Sequence, residues 1–473
     1  MNNTNTSYFA ANLGDERLTN RFNLIFNQLR ENPSGSIPEA AQSEKAVKGA
    51  YRFFRNKKVS YEPLIKAYSE ALELKGNKDR LVRYLAPSDT VELDYTNKRC
   101  AAELGPLTRK TRRGIITHNT MIMRESGAVQ GLLAQEHIIR TDEDFGKSEE
   151  RKRLPIEEKE SYKWVKHFEK AQQVCKDNEG IEMVFVADRE ADIMELFNRR
   201  EEARMHFVIR SQHNRCLKGS DTKLYKALEK TPFCGCYSIK IIHPETLKER
   251  QAQLHVRFTK QTIALHKRTN NAHKLAPVEV NVVEVVELNP PADIEEPIRW
   301  VLLTTLPVED FTDALLIIQY YVLRWLIERF HYLMKSGGAE VEELNFKKAK
   351  SLKNAITTYS MVIMDAMKLR YLAENEPDTN IYEAGITPTA YKVLYTYAEH
   401  KGHYKVKFDE QNPPSVWEFC RTLGKIGGFI PSKRQPLPGL KILIRALERL
   451  HLLISAYDAF DVNELGELDV GYR

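Results

Sequence analysis

The chain is poor in cysteine and carries no long apolar run, no low-complexity tract and no internal repeat. Its six cysteines stand at 100, 175, 216, 234, 236 and 420, with no CxxC spacing and no matching histidine pattern, which argues against a zinc module or a disulfide scaffold. Cys234 and Cys236, the one close pair, read as small residues of a short strand. No stretch of 18 apolar residues occurs, and the opening MNNTNTSYFAANLGDERL has neither a basic nor an apolar leader region. The expectation is a protein of the cytoplasm with no membrane partner. A strong charge of one sign is missing too. With 71 Lys and Arg against 65 Asp and Glu, the net charge of +6 does not by itself mark a nucleic-acid binder.

What is present is charge in islands. Lys45, Lys48, Arg52, Arg55, Lys57 and Lys58 fall within one stretch that has no acid and is interleaved with Tyr51, Phe53 and Phe54. Lys98, Arg99, Arg109, Lys110, Arg112 and Arg113 surround the single acid Glu103. Between Arg421 and Arg449 seven basic residues, Lys433 and Arg434 among them, face only Glu448. Separated basic islands in a balanced chain suit a long polyanion lying across several domains. At 473 residues, and roughly 150 per domain, two to four domains are expected.

Residues 1–70 read as a helical unit. Leu18, Phe22, Ile25, Phe26 and Leu29 form one apolar face behind Asp15 as N-cap, with Arg17 and Arg21 on another side. Ser36 and Glu39 form a capping box that opens the helix leading to GAYRFFRN. From about residue 80 strands and helices alternate. The strand candidates are Val91 to Tyr95, Ile115 to Met123, Val129 to Ile139, Met183 to Asp188 and His206 to Ser211, with helices near 156–176 and 190–202. That order predicts a mixed sheet with helices on its faces. Short β-rich runs over about 235–305 read as an insertion ahead of a long helix from Asp310 to Lys335. Beyond Gly337-Gly338 the chain reads as helical. There Leu440, Leu443, Leu447, Leu450, Ile454 and Tyr457 follow a/d spacing, which serves a dimer contact or internal packing equally well.

The chemistry is carried by acids and by one stripe. Tyr321, Arg324, Glu328 and Lys335 stand at i, i+3, i+7 and i+14 of one helical stretch, so they share a face. A carboxylate there can hold a divalent metal while Arg and Lys hold phosphate oxygens; i, i+4 ion pairing on a solvated face is the plainer reading. Asp94 in TVELDYT and Asp188 at the end of MVFVADRE sit where open α/β sheets build their sites. Asp94, Asp188 and Glu328 together would suit two hard cations and in-line phosphoryl displacement. Asp89, Glu92, Glu190 and Asp192 are neighbours that could replace members of this trio, and Asp192 could simply cap a helix.

The strings LGDERLTNR, GAYRFFRN, AAELGPL, ESYKW, ADREADI, FVIRS, RWVLLTTLPVED, YYVLRWLIERFHYLMKSG and GGFIPSKR span most of the chain, and in this order they resemble the cut-and-paste DDE transposases of the insertion-sequence-four group. The Y-x2-R-x3-E-x6-K pattern is that group's signature. The resemblance implies an α/β fold: an RNase H-like mixed sheet with a β insertion, flanked by a helical N-terminal DNA-end-binding domain (1–70) and a helical C-terminal dimerisation domain (371–473), with 71–370 catalytic. It implies Asp94, Asp188 and Glu328 as catalytic metal ligands for two Mg2+, with Mn2+ as substitute. The implied partners are double-stranded DNA, as transposon ends and target, and a second copy of the chain on that DNA. Cleavage through a hairpin and strand transfer would share one site. The family flips a base onto a tryptophan, and Trp300 matches that position. Tyr321, Arg324, Lys335 and Arg210 would hold the distorted end, Arg17, Arg21, Arg52, Arg55 and Lys57 would recognise it, and Lys433 with Arg434 would contact DNA more loosely. Bacterial origin and association with the nucleoid follow the same likeness. Tyr332, where a lysine is expected, and Leu18, which interrupts an arginine pair, depart from the pattern. The other readings are a catalytically silent end-binding repressor and a general RNase H-like nuclease.

Overall fold

The computed structural model describes residues 13–41, 43–143, 154–242, 249–265, 275–291, 294, 297–402 and 407–461. Asp15 caps α1 (Glu16–Glu31), its carboxylate accepting from the Arg17 and Leu18 amides at 3.0 and 3.3 Å. Phe22, Ile25, Phe26 and Leu29 form the buried stripe of that helix. The Ser36–Glu39 capping box forms, yet α2 (Ile37–Ala41) is only five residues long, and Ser43 caps a separate α3 (Glu44–Arg55). One expected helix is therefore two. α4 (Tyr61–Glu70) follows.

Five strands carry the central topology: β1 (Val82–Asp94), β3 (Arg113–Arg124), β4 (Val129–Ile138), β5 (Ile181–Ala187) and β6 (Met205–Arg210). They lie in the order β4-β3-β1-β5-β6, with β3 antiparallel to β1 and β4, while β5 runs parallel to β1 and β6. This is an RNase H-like mixed sheet. The two-residue β2 (Gly105–Pro106) also pairs with β3. Beyond β6 the sheet continues through β11 (Arg299–Thr304), β10 (Val278–Glu287) and β9 (Glu249–Ala264), which β8 (Gly235–Ile242) and β7 (Cys216–Leu217) flank. Among the described residues the β-rich segment thus extends this sheet to eleven strands. Within it, Glu284 is buried but paired with Arg257 and Arg299, which removes the cost of an uncompensated charge.

Two apolar cores cover the two faces of the sheet. On one, α5 (Tyr162–Asp177) places Trp164, Val165 and Phe168 against Met183, Phe185 and Phe207. On the other, α8 (Phe311–Leu323), α9 (Trp325–Tyr332) and α10 (Ala349–Asn375) pack with the N-terminal helices. The C-terminal α11 (Pro388–His400), α12 (Val416–Ile426) and α13 (Leu440–Asp461) share a third core with the end of α10. Leu443 and Leu450 of the a/d seam are buried there, so that seam packs inside the chain. Among the described residues no helix is long and apolar enough to cross a membrane.

Candidate active site

β1 is longer than its sequence suggests, and this decides which acid faces the site. Pro87 pairs with Val186, and β5 ends at Ala187, so Asp89 lies beside Asp188 where the two parallel strands finish pairing. Asp94 lies five residues further on, roughly 16 Å along the strand. Five is an odd step, and pairing with β3 runs unbroken from Ser88 to Asp94, so the two carboxylates leave opposite faces of the sheet. Asp94 instead holds the turn after β1, accepting from the Thr96 amide at 2.9 Å and the Thr96 hydroxyl at 2.6 Å and pairing with Arg112 at 3.0 Å. Burial opposes its ionisation, but these bonds and the nearby Lys335 hold its carboxyl below the usual range. Placing Asp94 with Asp188 and Glu328 is therefore wrong; Asp89 takes that place.

Asp89 is half-buried behind Arg324, whose guanidinium bonds it at 2.8 Å and Glu328 at 2.6 Å. Burial pushes the Asp89 carboxyl up to about 6; Arg324 and the Thr90 amide pull it down, and the Asp188 and Glu328 carboxylates push it up. The Asp89 carboxylate, inside β1, thus feels the acid at the end of β5 and the acid of α9. Burial works against the charge of Arg324, and Asp89, Tyr321 and Glu328 more than offset it. Asp188 caps the short helical turn Arg189–Ala191 by accepting from the Glu190 amide at 2.9 Å. Among the described residues no three Asp, Glu, His or Cys side chains stand close enough together to hold a metal ion; Arg324 bridges two of these acids instead.

The expected single helix of 310–335 is broken. Arg324 joins α8 to α9 with its amide bonded to Tyr321 O, and Leu333–Gly337 form a π-helical turn. Lys335 therefore departs from the stripe, bonding Glu92 O at 3.0 Å and Glu342 at 3.2 Å. Tyr321 is 7% exposed, and its ring meets the half-buried Trp300 ring edge-on, with centroids 5.5 Å apart. Arg324 lies over the other aromatic partner, 5.7 Å from the Tyr321 centroid. Arg210 donates to Arg299 O at 3.1 Å, next to Trp300. A connected set thus runs Arg210, Trp300, Tyr321, Arg324, Asp89, Glu328.

The N-terminal candidates stand apart from that set. Arg52, Arg55 and Lys57 are exposed, opposite the buried Ala50, Phe53 and Phe54 of α3, and Arg17 is exposed on α1. Arg21 lies over Gly49, where an added Cβ would meet its guanidinium at 2.6 Å; glycine lets the two helices approach. Lys433 and Arg434 are exposed in the loop between α12 and α13. Of the alternative acids, Asp192 is structural: it is buried, paired with Arg215, and accepts from the amides of Gln212 and His213 at 2.8 and 2.9 Å. Trp325, 54% exposed between Arg324 and the rest of α9, is a site neighbour that a core-seeking reading of aromatics passes over.

Residues 4–59 match the transposase DNA-binding family, and residues 171–364 match the transposase DDE domain. The second match includes Asp188 and Glu328 and begins after Asp89, so Asp89 rests on geometry alone. Among solved structures the chain is similar to a piggyBac transposase in a synaptic complex with hairpin DNA, at 8% identity and a TM-score of 0.37, over 96% of this chain and 73% of that one. A likeness that weak adds nothing to the site. With a transposase DNA-binding domain ahead of a transposase DDE domain, the chain is a DDE transposase.

Proposed function

We propose that this is a cut-and-paste transposase of the insertion-sequence-four group, similar to the Tn-five transposase, acting on the inverted ends of its own element. It nicks each end, cleaves it through a hairpin and joins the 3′ end to target DNA. The observation that supports this most is the coupling of Asp89, Asp188 and Glu328, with Arg324 of the Y-R-E-K set between two of them. The donor chemistry of these three carboxylates, all oxygen, suits a hard divalent cation, although in this structure Arg324 occupies two of them. Two Mg2+ there, or Mn2+ in their stead, would supply activation of a water or 3′-hydroxyl and stabilisation of the leaving oxygen.

The protein's own groups do the rest. Arg324, which bonds Asp89 and Glu328 here, would offer its planar fork to two phosphate oxygens of the bound end. Lys335 and Arg210 extend the phosphate track, and the half-exposed Trp300 offers a π-face to a base drawn out of the stack. Arg17, Arg21, Arg52, Arg55 and Lys57 recognise the end within a unit of about residues 1–70, with 71–370 catalytic. Lys433 and Arg434 contact DNA within 371–473, through which two copies assemble on DNA. The test is a duplex carrying the terminal repeats that flank the coding sequence, incubated with protein and Mg2+. Nicked, hairpin and joined products are expected, all lost on Asp188→Ala; equal cutting of a duplex lacking those repeats would replace this reading with a general nuclease.

A further inference from the structure

Two adjacent residues of β3, His118 and Asn119, point to opposite faces of the sheet, and both are fully buried. The His118 ring lies between the two residues that flank Asp89: its Nε2 is 3.2 Å from Ser88 Oγ and its Nδ1 is 2.9 Å from Thr90 Oγ1. Ser88 Oγ donates its one hydrogen to Asn119 O at 3.1 Å, so it accepts from His118 Nε2–H, and the Thr90 hydroxyl donates to Nδ1. From α5 the rings of Trp164 and His167 pack edge-on against it, each with centroids 4.4 Å away, which fixes the plane of the imidazole. On the other face Asn119 is the cross-strand partner of Asp89. Its amide Nδ2 donates to His331 Nε2 at 3.0 Å, and its Oδ1 accepts from Gln135 at 2.8 Å. His331 sits on α9 one turn beyond Glu328.

Buried polar clusters usually do no more than satisfy one another. Here the bonds end at the neighbours of two acids. We infer that His118 and Asn119 are positioning residues for the acidic centre: His118 fixes the β1 backbone on both sides of Asp89, and Asn119, through His331, fixes the helix that presents Glu328. The inference rests on the transposase reading only for what the centre does, since the distances themselves concern how its carboxylates are held. Groups one shell behind metal ligands typically change metal affinity or activity 10- to 100-fold when removed.

The experiment uses full-length protein with Thr90→Val, which deletes one hydroxyl at a half-buried site, and Asn119→Leu. Val283→Ala, which removes buried apolar volume within the insertion and bonds none of the acids or their polar partners, serves as a control for lost core packing. Mn2+ binding is measured by calorimetry, and nicking under single-turnover conditions with saturating end duplex. The expected result is an Mn2+ dissociation constant raised about 10-fold or more in both site variants and a nicking rate reduced to match. End-duplex affinity stays within about twofold of wild type, and the Val283→Ala control keeps wild-type Mn2+ affinity. Wild-type Mn2+ affinity in both site variants overturns the inference, whether or not their melting temperatures fall. Failure of the wild-type protein to nick its ends counts against the transposase reading instead, while the Mn2+ comparison still decides the positioning roles.

Discussion

At the scale of single residues, the alternation of a strand sorts acids of equal chemistry into different work. Asp89 faces α9 and a guanidinium, whereas Asp94 faces away and organises a turn. The sequence carries a reason for confusing them: Pro87 interrupts the pattern, and a proline normally marks the start or edge of a strand. Here Pro87 lies inside β1, paired with Val186, and the strand begins at Val82. Trp300 is the other residue whose exposure matters. Because its ring leans on Tyr321 and remains partly open, Trp300→Ala is expected to leave the first nick within about threefold of wild type and to cut hairpin formation by roughly tenfold, given a stacking contact of ~1–3 kcal/mol. Denaturing gels that separate nicked from hairpin product measure both. Asp188, Glu328, Tyr321 and Arg324 were legible in sequence because helical spacing and a strand end fix their surroundings locally. The choice between Asp89 and Asp94 was not, because it depends on where β1 begins to pair with β5, a contact far along the chain.

At the scale of elements, short-range signals were faithful and continuity was not. The Asp15 cap, the Ser36–Glu39 box and the strands β3 to β6 follow their sequence patterns closely. The breaks fall at Ser43, which caps a new helix, and at Arg324, whose amide bonds the Tyr321 carbonyl three residues back while its dihedrals stay helical. α3 keeps Phe53 and Phe54 in the core and turns Arg52 and Arg55 to solvent, so its outer face is available to a polyanion. Replacing both arginines by alanine should weaken end binding and reduce the slope of log K against log salt by about 1.8, at ~0.9 per phosphate contact. Fluorescence anisotropy over a salt series reads this. The cleavage rate of fully bound DNA should not change.

At the scale of the whole molecule, buried histidines, His118 and His331 of the site's polar clusters among them, set its response to acid. His118, His137 and His167 are held well below their usual pKa by burial, as is His331, pushed down to about 3 by burial and by Arg324 and Lys335. His451 is lowered to about 4 by burial and Arg30. These groups bind protons in the unfolded chain near pH 6.5 but not in the folded one, so their contribution is complete above that pH and is lost as pH falls towards the folded values. Each histidine adds a slope of ~1.4 kcal/mol per pH unit in that window. Melting temperature by calorimetry should therefore be nearly level from pH 8 to 7 and fall steeply from 6.5 to 4.5. A flat profile there would mean that these histidines are hydrated. The placement of the acids themselves is tested most directly by titrating Mn2+ into the wild-type protein and the single variants Asp89→Asn and Asp94→Asn, following the free-ion resonance. Asp89→Asn should lose at least one tight site, and Asp94→Asn should bind as the wild type does. Loss of Mn2+ in Asp94→Asn with full binding in Asp89→Asn would contradict the account at its centre.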